Sequence, residues 1–306
     1  MHMPLPPERK LPDEDWEHYA LYRDVKAAIS SVPAYFRTET QIAGVMATDL
    51  HTLNNVLGAT IEAQVVYTLN SIRAVWDPDE KYVLYSFVRQ PQTFPDVLLR
   101  RAADGDILLG IELKGWYVLA KEGEPSFRYR VTAAACNPQD LVVVVPWALG
   151  NVVSGSPILL DPYIESARYA AEYRNHHWAH VRETGEDRGI NSPIEVKPYP
   201  AKSDQIDDKP VADGGGNFGR FARTGLMDAY LAEIKGRPLS GLRIEYWLRF
   251  LKVFQGEKSE EQTRAAIDRF ARQVTEEHGM AAETRNSVLT VVRELRALTG
   301  LQDPGQ

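Results

Sequence analysis

The chain has 306 residues, 44% of them hydrophobic and 25% charged, enough to bury a full core in one large domain or in a domain with an appendage. A formal net charge of −7 argues against a protein that coats nucleic acid. It does not exclude one that grips a duplex locally, because phosphate contact depends on where the cations sit.

No apolar run approaches the roughly 20 residues of a membrane span. The proline-rich, charged start from Met1 to Asp15 lacks the apolar centre of a secretory signal. The single cysteine, Cys136, excludes an internal disulfide and a cysteine-based zinc cluster, and reads as a small core residue. A cytoplasmic protein without a membrane partner is the expectation.

Residues 1–47 read as an N-terminal arm, irregular or with a short helix, which Trp16, Tyr19 and Tyr22 could dock on the body. From Thr48 to Val75 apolar residues recur at helical spacing (Leu50, Leu53, Leu57, Ile61, Val65, Leu69, Ile72), with Thr48 or Asp49 as N-cap and Asp77-Pro78 as the stop. Strand signals follow at Tyr82–Val88, Thr93–Arg100 and Ile107–Tyr117, the last two flanking a turn at Asp104-Gly105. Leu141–Val145 is a continuous apolar run of the kind found in strands covered on both faces. A weakly amphipathic helix is predicted from Pro162 to Arg182.

Lys197–Gly216 is rich in Pro, Asp, Lys and Gly and reads as a linker or long loop. Beyond it, helices are predicted over Ala222–Lys235, Ser240–Phe254, Glu260–Glu277 and Ala281–Leu298. The expected fold is therefore α/β, a mixed sheet flanked by helices, with a C-terminal helical region. The expected organisation is an arm (1–47), an α/β core (48–196), a linker or loop (197–219) and the helical region (220–306).

The chemistry concentrates in Phe94-Pro95-Asp96-Val97-Leu98-Leu99 and Ile107-Leu108-Leu109-Gly110-Ile111-Glu112-Leu113-Lys114-Gly115-Trp116. Glu112 and Lys114 are two apart on a strand and share a face, while Leu109, Ile111 and Leu113 point the other way. Asp96 adds a second carboxylate from the neighbouring strand. Two carboxylates can hold Mg²⁺ through hard oxygen ligands and leave positions for water and a phosphate oxygen. A lysine beside them can orient or deprotonate the attacking water and stabilise negative charge. The plainer alternative is a surface ion pair on a half-exposed hairpin. Gly110 on the same face argues for a close approach there.

Pro95-Asp96, then fifteen residues, then Glu112-Leu113-Lys114 resembles the PD-(D/E)xK nuclease superfamily, and type II restriction endonucleases in size. The resemblance covers about residues 48–150. It implies that Asp96 and Glu112 are metal ligands, Lys114 the catalytic lysine, and Glu62, on the preceding helix, an accessory ligand. It also implies Mg²⁺ as cofactor, double-stranded DNA as substrate and a homodimer that cuts both strands. A repair or recombination nuclease of the same fold, or a non-catalytic protein-interaction module, are the alternatives. The tripeptide alone is common: Glu195-Val196-Lys197, Glu233-Ile234-Lys235 and Asp207-Asp208-Lys209 also occur. Only Glu112 sits inside a long apolar strand after a Pro-Asp strand and a turn.

Phosphate contact is expected from Arg128 and Arg130, just past that strand, and from Arg220, Arg223 and Arg243. Those three lie in a locally basic stretch, Arg220–Lys252, that interleaves Tyr246, Trp247 and Phe250. The bland reading of that stretch is a helical face with its aromatics in the core. His176 and His180 have two-histidine zinc spacing but no evident third ligand. Gly214–Gly219 precedes a helix and could cradle a phosphate, even as part of an adenine-nucleotide site, but lacks a P-loop ending and reads better as a hinge.

Strand parity adds one condition. A two-residue turn at Asp104-Gly105 would set Asp96 opposite Leu113, on the wrong face. Asp96 can share a face with Glu112 and Lys114 only if the loop is odd in length or a bulge compensates.

Overall fold

The computed structural model describes residues 4–45, 49–90, 92–252, 259–276 and 282–298. Its first element, α1 (Tyr19–Tyr35), is a 17-residue helix that buries Leu21, Tyr22, Val25, Ala28, Ile29 and Val32. This is a core element where the sequence suggested an arm with at most a short helix. The apolar positions at 21, 25, 28, 29 and 32 are one helical stripe, obscured by the interleaved charges.

Leu50–Thr52 forms a 3₁₀ turn, followed by α2 (Leu53–Ser71) and a short α3 (Arg73–Trp76). The predicted long helix is thus divided at Ile72, and Asp77 ends it. Asp49 makes no side-chain cap, and Thr48 lies outside the described residues.

The strands come next: β1 (Tyr85–Arg89), β2 (Val97–Arg101), β3 (Ile107–Tyr117), β4 (Leu141–Leu149), β5 (Pro157–Leu159) and β6 (Tyr163–Ser166). They form one mixed sheet in the order β1-β2-β3-β4-β5, with β6 also on β4. β1, β2 and β3 are antiparallel, and β3 and β4 are parallel. β5 and β6 pair antiparallel with opposite ends of β4. All of β4 is buried, as its unbroken apolar run requires.

The free edge of β1 is blocked at Phe87. There the Asn70 amide of α2 both donates to the carbonyl (2.9 Å) and accepts from the N–H (2.9 Å). The parallel β3–β4 pair needs a crossover, supplied by residues 118–140.

The segment predicted as one helix from Pro162 begins instead as β6. Ser166 then caps α4 (Ala167–His176), its Oγ accepting the Tyr169 N–H at 3.3 Å, and a π-helical turn follows over His177–Val181. Beyond it come the paired β7 (Ile190–Asn191) and β8 (Lys209–Pro210), then α5 (Asp228–Gly236). A hairpin of β9 (Pro238–Leu239) and β10 (Leu242–Arg243), α6 (Ile244–Leu251), α7 (Glu260–Glu276) and α8 (Ala282–Leu298) complete the described chain. Phe254, Glu277 and Ala281, at the ends of predicted helices, lie outside the described residues.

The apolar core runs without a break from Leu21 in α1 to Val292 in α8. The stretch expected to be a linker or long loop is a loop packed against that core. Asp208 is fully buried, and the Ile206 carbonyl accepts the Thr132 N–H at 2.7 Å. The glycine-rich turn is held as well: Asp213 accepts the N–H groups of Asn217 (2.6 Å) and Phe218 (3.2 Å), and Phe218 is buried. No described helix is long and apolar enough to cross a membrane.

Candidate active site

The β2–β3 connection is closed by the Arg101 N–H on the Asp106 carbonyl (2.8 Å), with Gly105 in the left-handed region at φ 76°. That closure leaves residues 102–105 in the loop, an even length. Carried along the strands unaltered, it would turn Asp96 away from Glu112. The ladder instead slips once: Arg100 faces Ile107, but Leu99 faces Leu109, and Leu108 bulges out. From there Val97 faces Ile111, so Asp96 arrives beside Glu112. A compensating bulge, not an odd loop, meets the parity condition.

Gly110 is the second device. A Cβ there would lie 2.3 Å from Pro95 Cγ and 3.1 Å from Asp140 Oδ1. The close approach implied by this glycine is therefore that of the Pro95 ring, which lies on β3 and delivers Asp96.

β2 begins at Val97, opposite Ile111, so the edge of β3 beyond residue 111 has no strand beside it. The amides of Leu113, Gly115 and Tyr117 all point to that edge. Each is met by a side chain: Asp96 Oδ2 (3.1 Å), Glu62 Oε1 (3.0 Å) and Asn54 Oδ1 (2.9 Å). Leaving such amides unpaired would be costly, so these side chains continue the ladder where β2 stops. The opposite edge follows the same rule. Before β4 begins, the Gly110 N–H donates to Asp140 Oδ1 at 2.7 Å. The convergence of Asp96 and Glu62 on one spot thus has a backbone cause.

Lys114 Nζ lies 2.9 Å from Asp96 Oδ2 and 3.0 Å from Glu112 Oε1. Arg89 Nη2 is 3.9 Å from Glu62 Oε2. Glu112 is buried, while Asp96, Lys114 and Glu62 are half-buried. Burial pushes the Glu112 carboxyl up to about 7, and the nearby Asp96 charge adds to this against the opposing pull of Lys114. Burial also raises Glu62, against the Gly115 N–H and Lys114. For Lys114, burial disfavours the charge but Glu112 and Asp96 outweigh it, so the pKa is raised and the side chain is an ammonium.

Three carboxylates, those of Asp96, Glu112 and Glu62, stand around one lysine and one arginine. That donor set suits a hard divalent cation. Asp96 and Glu112 offer oxygen ligands beside an open cleft, and Mg²⁺ characteristically takes one or two carboxylates and keeps several waters. Among the described residues no group of three His, Cys, Asp or Glu side chains is poised to hold a metal, so most other ligands would be water or substrate. His176 and His180 are no exception: their rings stand 5.3 Å apart, and His176 Nε2 is 3.0 Å from the Pro4 carbonyl.

The cleft over Asp96 and Glu112 has a volume of about 270 Å³ and is also lined by Gln92, Arg128, Arg130 and Asp207. Arg128 is exposed and Arg130 half-buried, with its Nε lacking a hydrogen-bond partner. The other expected phosphate contacts lie elsewhere. Arg223 binds Glu124 (2.9 Å) and Glu122 (3.0 Å), and Arg220 reaches Glu122 (3.4 Å), both in a separate cleft. Arg243 sits on β10, 3.1 Å from Glu245. Tyr246 and Phe250 of that stretch are buried, as its bland reading had it.

Sequence reasoning passed over Asn54, Arg89, Gln92, Asp140, Arg174 and Asp208. Arg174 is the most consequential. Fully buried, it donates from Nη1 to the carbonyls of Tyr129 (2.7 Å) and Val131 (3.0 Å) and from Nη2 to Asp208, so it holds the crossover strip that carries Arg128 and Arg130. No local pattern marks it. Asp140 does have a signal, a lone acid directly before a buried apolar strand. Compared with family models, curated proteins and solved structures, the chain matches none.

Proposed function

We propose that the protein is a Mg²⁺-dependent DNA endonuclease of the PD-(D/E)xK kind, acting on double-stranded DNA in the manner of a type II restriction enzyme. The observation that carries this reading is the Lys114 ammonium within 3.0 Å of both Asp96 and Glu112 at an open strand edge, under a cleft with two arginines on its wall. An ordinary surface ion pair does not need a buried glutamate, a strand bulge and a proline seated on a glycine to assemble it.

In this reading Asp96 and Glu112 hold the cation. When bound, it supplies charge to offset the phosphorane-like transition state and lowers the pKa of water. Lys114 donates N–H bonds to the attacking water or a non-bridging phosphate oxygen, and is fixed for this by the two carboxylates. Glu62, tethered by Gly115, keeps the Lys114 end of the edge in place. Arg128 and Arg130 grip the phosphates flanking the scissile one. Water adds to phosphorus and gives up a proton to solvent, the bond to one ester oxygen breaks, and that oxygen takes a proton from solvent in turn.

A homodimer would present two equivalent sites to the two strands, and light scattering with and without DNA checks it. The buried lone Cys136 is at ease in a reducing cytoplasm. The function itself is tested by incubating the purified protein with mixed plasmid DNA and Mg²⁺. Discrete fragments are expected. A smear points to a general repair or recombination nuclease, and DNA left intact overturns the reading in favour of a binding module.

A further inference from the structure

The loop from Pro200 to Asp207 touches the core only through its buried Pro200 and through Ile206. Residues 201–205 and Asp207 are all exposed and Ile206 is half-buried. Yet both of its ends are tied by carboxylates that are themselves fully buried. On one side the Tyr199 hydroxyl donates to Asp140 Oδ1 at 3.0 Å, the same oxygen that receives the Gly110 N–H of β3. On the other, Asp208 is bound by Arg174 and by Asn175 Nδ2 (2.8 Å). Between the ties the loop is ordered from within: Asp204 Oδ2 accepts the Ala201 N–H at 2.9 Å. Breaking a hydrogen bond to a buried carboxylate is costly, so two such anchors at the ends of an exposed loop hold its surface in one conformation.

That surface faces the cleft. The loop, with Gln92, Thr93 and Phe94, lines a second cavity of about 350 Å³. Gln92, Thr93, Phe94, Ile206 and Asp207 also line the cavity over Asp96 and Glu112, so the two form one groove. Lys202 Nζ donates to Gln92 Oε1 (2.7 Å) from the opposite wall. The groove thus joins the carboxylates, with Arg128 and Arg130 on its wall, to a part that Lys202 and Lys209 line. Gln92 on one wall and Gln205 on the other offer both donors and acceptors, which is what base edges require, and Lys202 offers a point charge for phosphate.

The geometry points to residues 200–207 as a preorganised substrate loop, Lys202 and Gln205 contacting the DNA strand that leaves the scissile phosphate. This rests on the nuclease reading and adds the direction in which substrate extends from the site.

The test measures binding and cleavage separately on the full chain. Affinity for a labelled DNA duplex is measured without Mg²⁺ as salt is varied, and plasmid cleavage is followed with Mg²⁺. K202A should weaken binding and lower the salt slope by about 1, the signature of one lost phosphate contact. K202A/Q205A should also alter the set of fragments and raise the DNA concentration needed for half-maximal cleavage. Y199F, which frees one anchor, should weaken binding as well. Unaltered affinity, salt slope and fragments in K202A/Q205A would overturn the assignment while leaving the nuclease reading intact. A loss of kcat with unchanged affinity would also overturn it. Binding that depends on Lys202 in a wild-type protein that does not cleave would support the loop and remove the nuclease.

Discussion

An alanine at position 110 would put its Cβ 2.3 Å from Pro95 Cγ, where carbon atoms rest at about 3.5–4.0 Å. The overlap exceeds about 1 Å, and its partner is a ring closed on its own backbone, which cannot rotate aside. Asp140 Oδ1, at 3.1 Å on the other flank, blocks the alternative movement. The chain at Pro95 must therefore lift, at a cost of about 1–3 kcal/mol for overpacking. Asp96 is the next residue, and it moves with Pro95. Its Oδ2 now serves both Lys114 Nζ (2.9 Å) and the Leu113 N–H (3.1 Å), and neither contact survives a displacement of about 1 Å. A misplacement of that size at a catalytic group costs about 100-fold in rate.

Gly115→Ala is the matched control. There the nearest atoms to a new Cβ are 3.5 Å away, an ordinary contact, and stability should stay within about 0.5 kcal/mol. Urea unfolding and plasmid cleavage rates read both arms. G110A with wild-type stability and wild-type cleavage would refute the view that Pro95 on Gly110 seats Asp96.

Lys114→Ala should lower cleavage by about 10²–10⁴-fold while leaving duplex affinity nearly unchanged, because Lys114 acts at the scissile phosphate; a folded variant with near wild-type cleavage removes it from the site. Asp96→Asn should lose activity with a weakened Mg²⁺ dependence, measured by titrating the metal. Burial raises Asp140 to about 6 from 3.8, against the N–H groups of Asn137 and Gly110 and the Tyr199 hydroxyl. The folded state therefore binds the proton more tightly, and the associated stability is full below about pH 4 and lost as pH rises through about 6. Across that window the stability of D140N relative to wild type should rise by about 3 kcal/mol, and urea melts showing a pH-independent difference would contradict this. Asp208→Ala strands the buried Arg174 and should cost about 3–5 kcal/mol, whereas Asp208→Asn, which keeps an acceptor for the guanidinium, should cost less in urea melts; equal destabilisation by both would show that the contact with Arg174 is not what matters.

Local physics is what the sequence carries, and it carries much of this fold. The stripe from Leu53 to Leu69, the apolar run of β4 and the Asp104-Gly105 turn each declare an element within a window shorter than the element's own length. The order of helix, meander and buried parallel strand follows from them, as does the shared face of Glu112 and Lys114. What the sequence could only state as a condition was the register. A bulge at Leu108 looks like any other leucine in Ile107-Leu108-Leu109, because its place is decided by which partner atoms lie across the ladder.

The same holds for the division of the β4 edge between β5 and β6, and for α1. Its burial depends on α2 and α3 arriving beside it. It holds most strongly for the polar contacts. Asn54 is an ordinary polar residue on a helix until β2 ends at Val97 and leaves the amides of β3 open. Arg174 and Asp208 stand 34 positions apart and become one buried pair only when the loop folds over the crossover. Periodicity is a property of neighbours along the chain. An unpaired amide or a desolvated charge is a property of neighbours in space, so only the tertiary structure could decide which carboxylates meet at the end of β3.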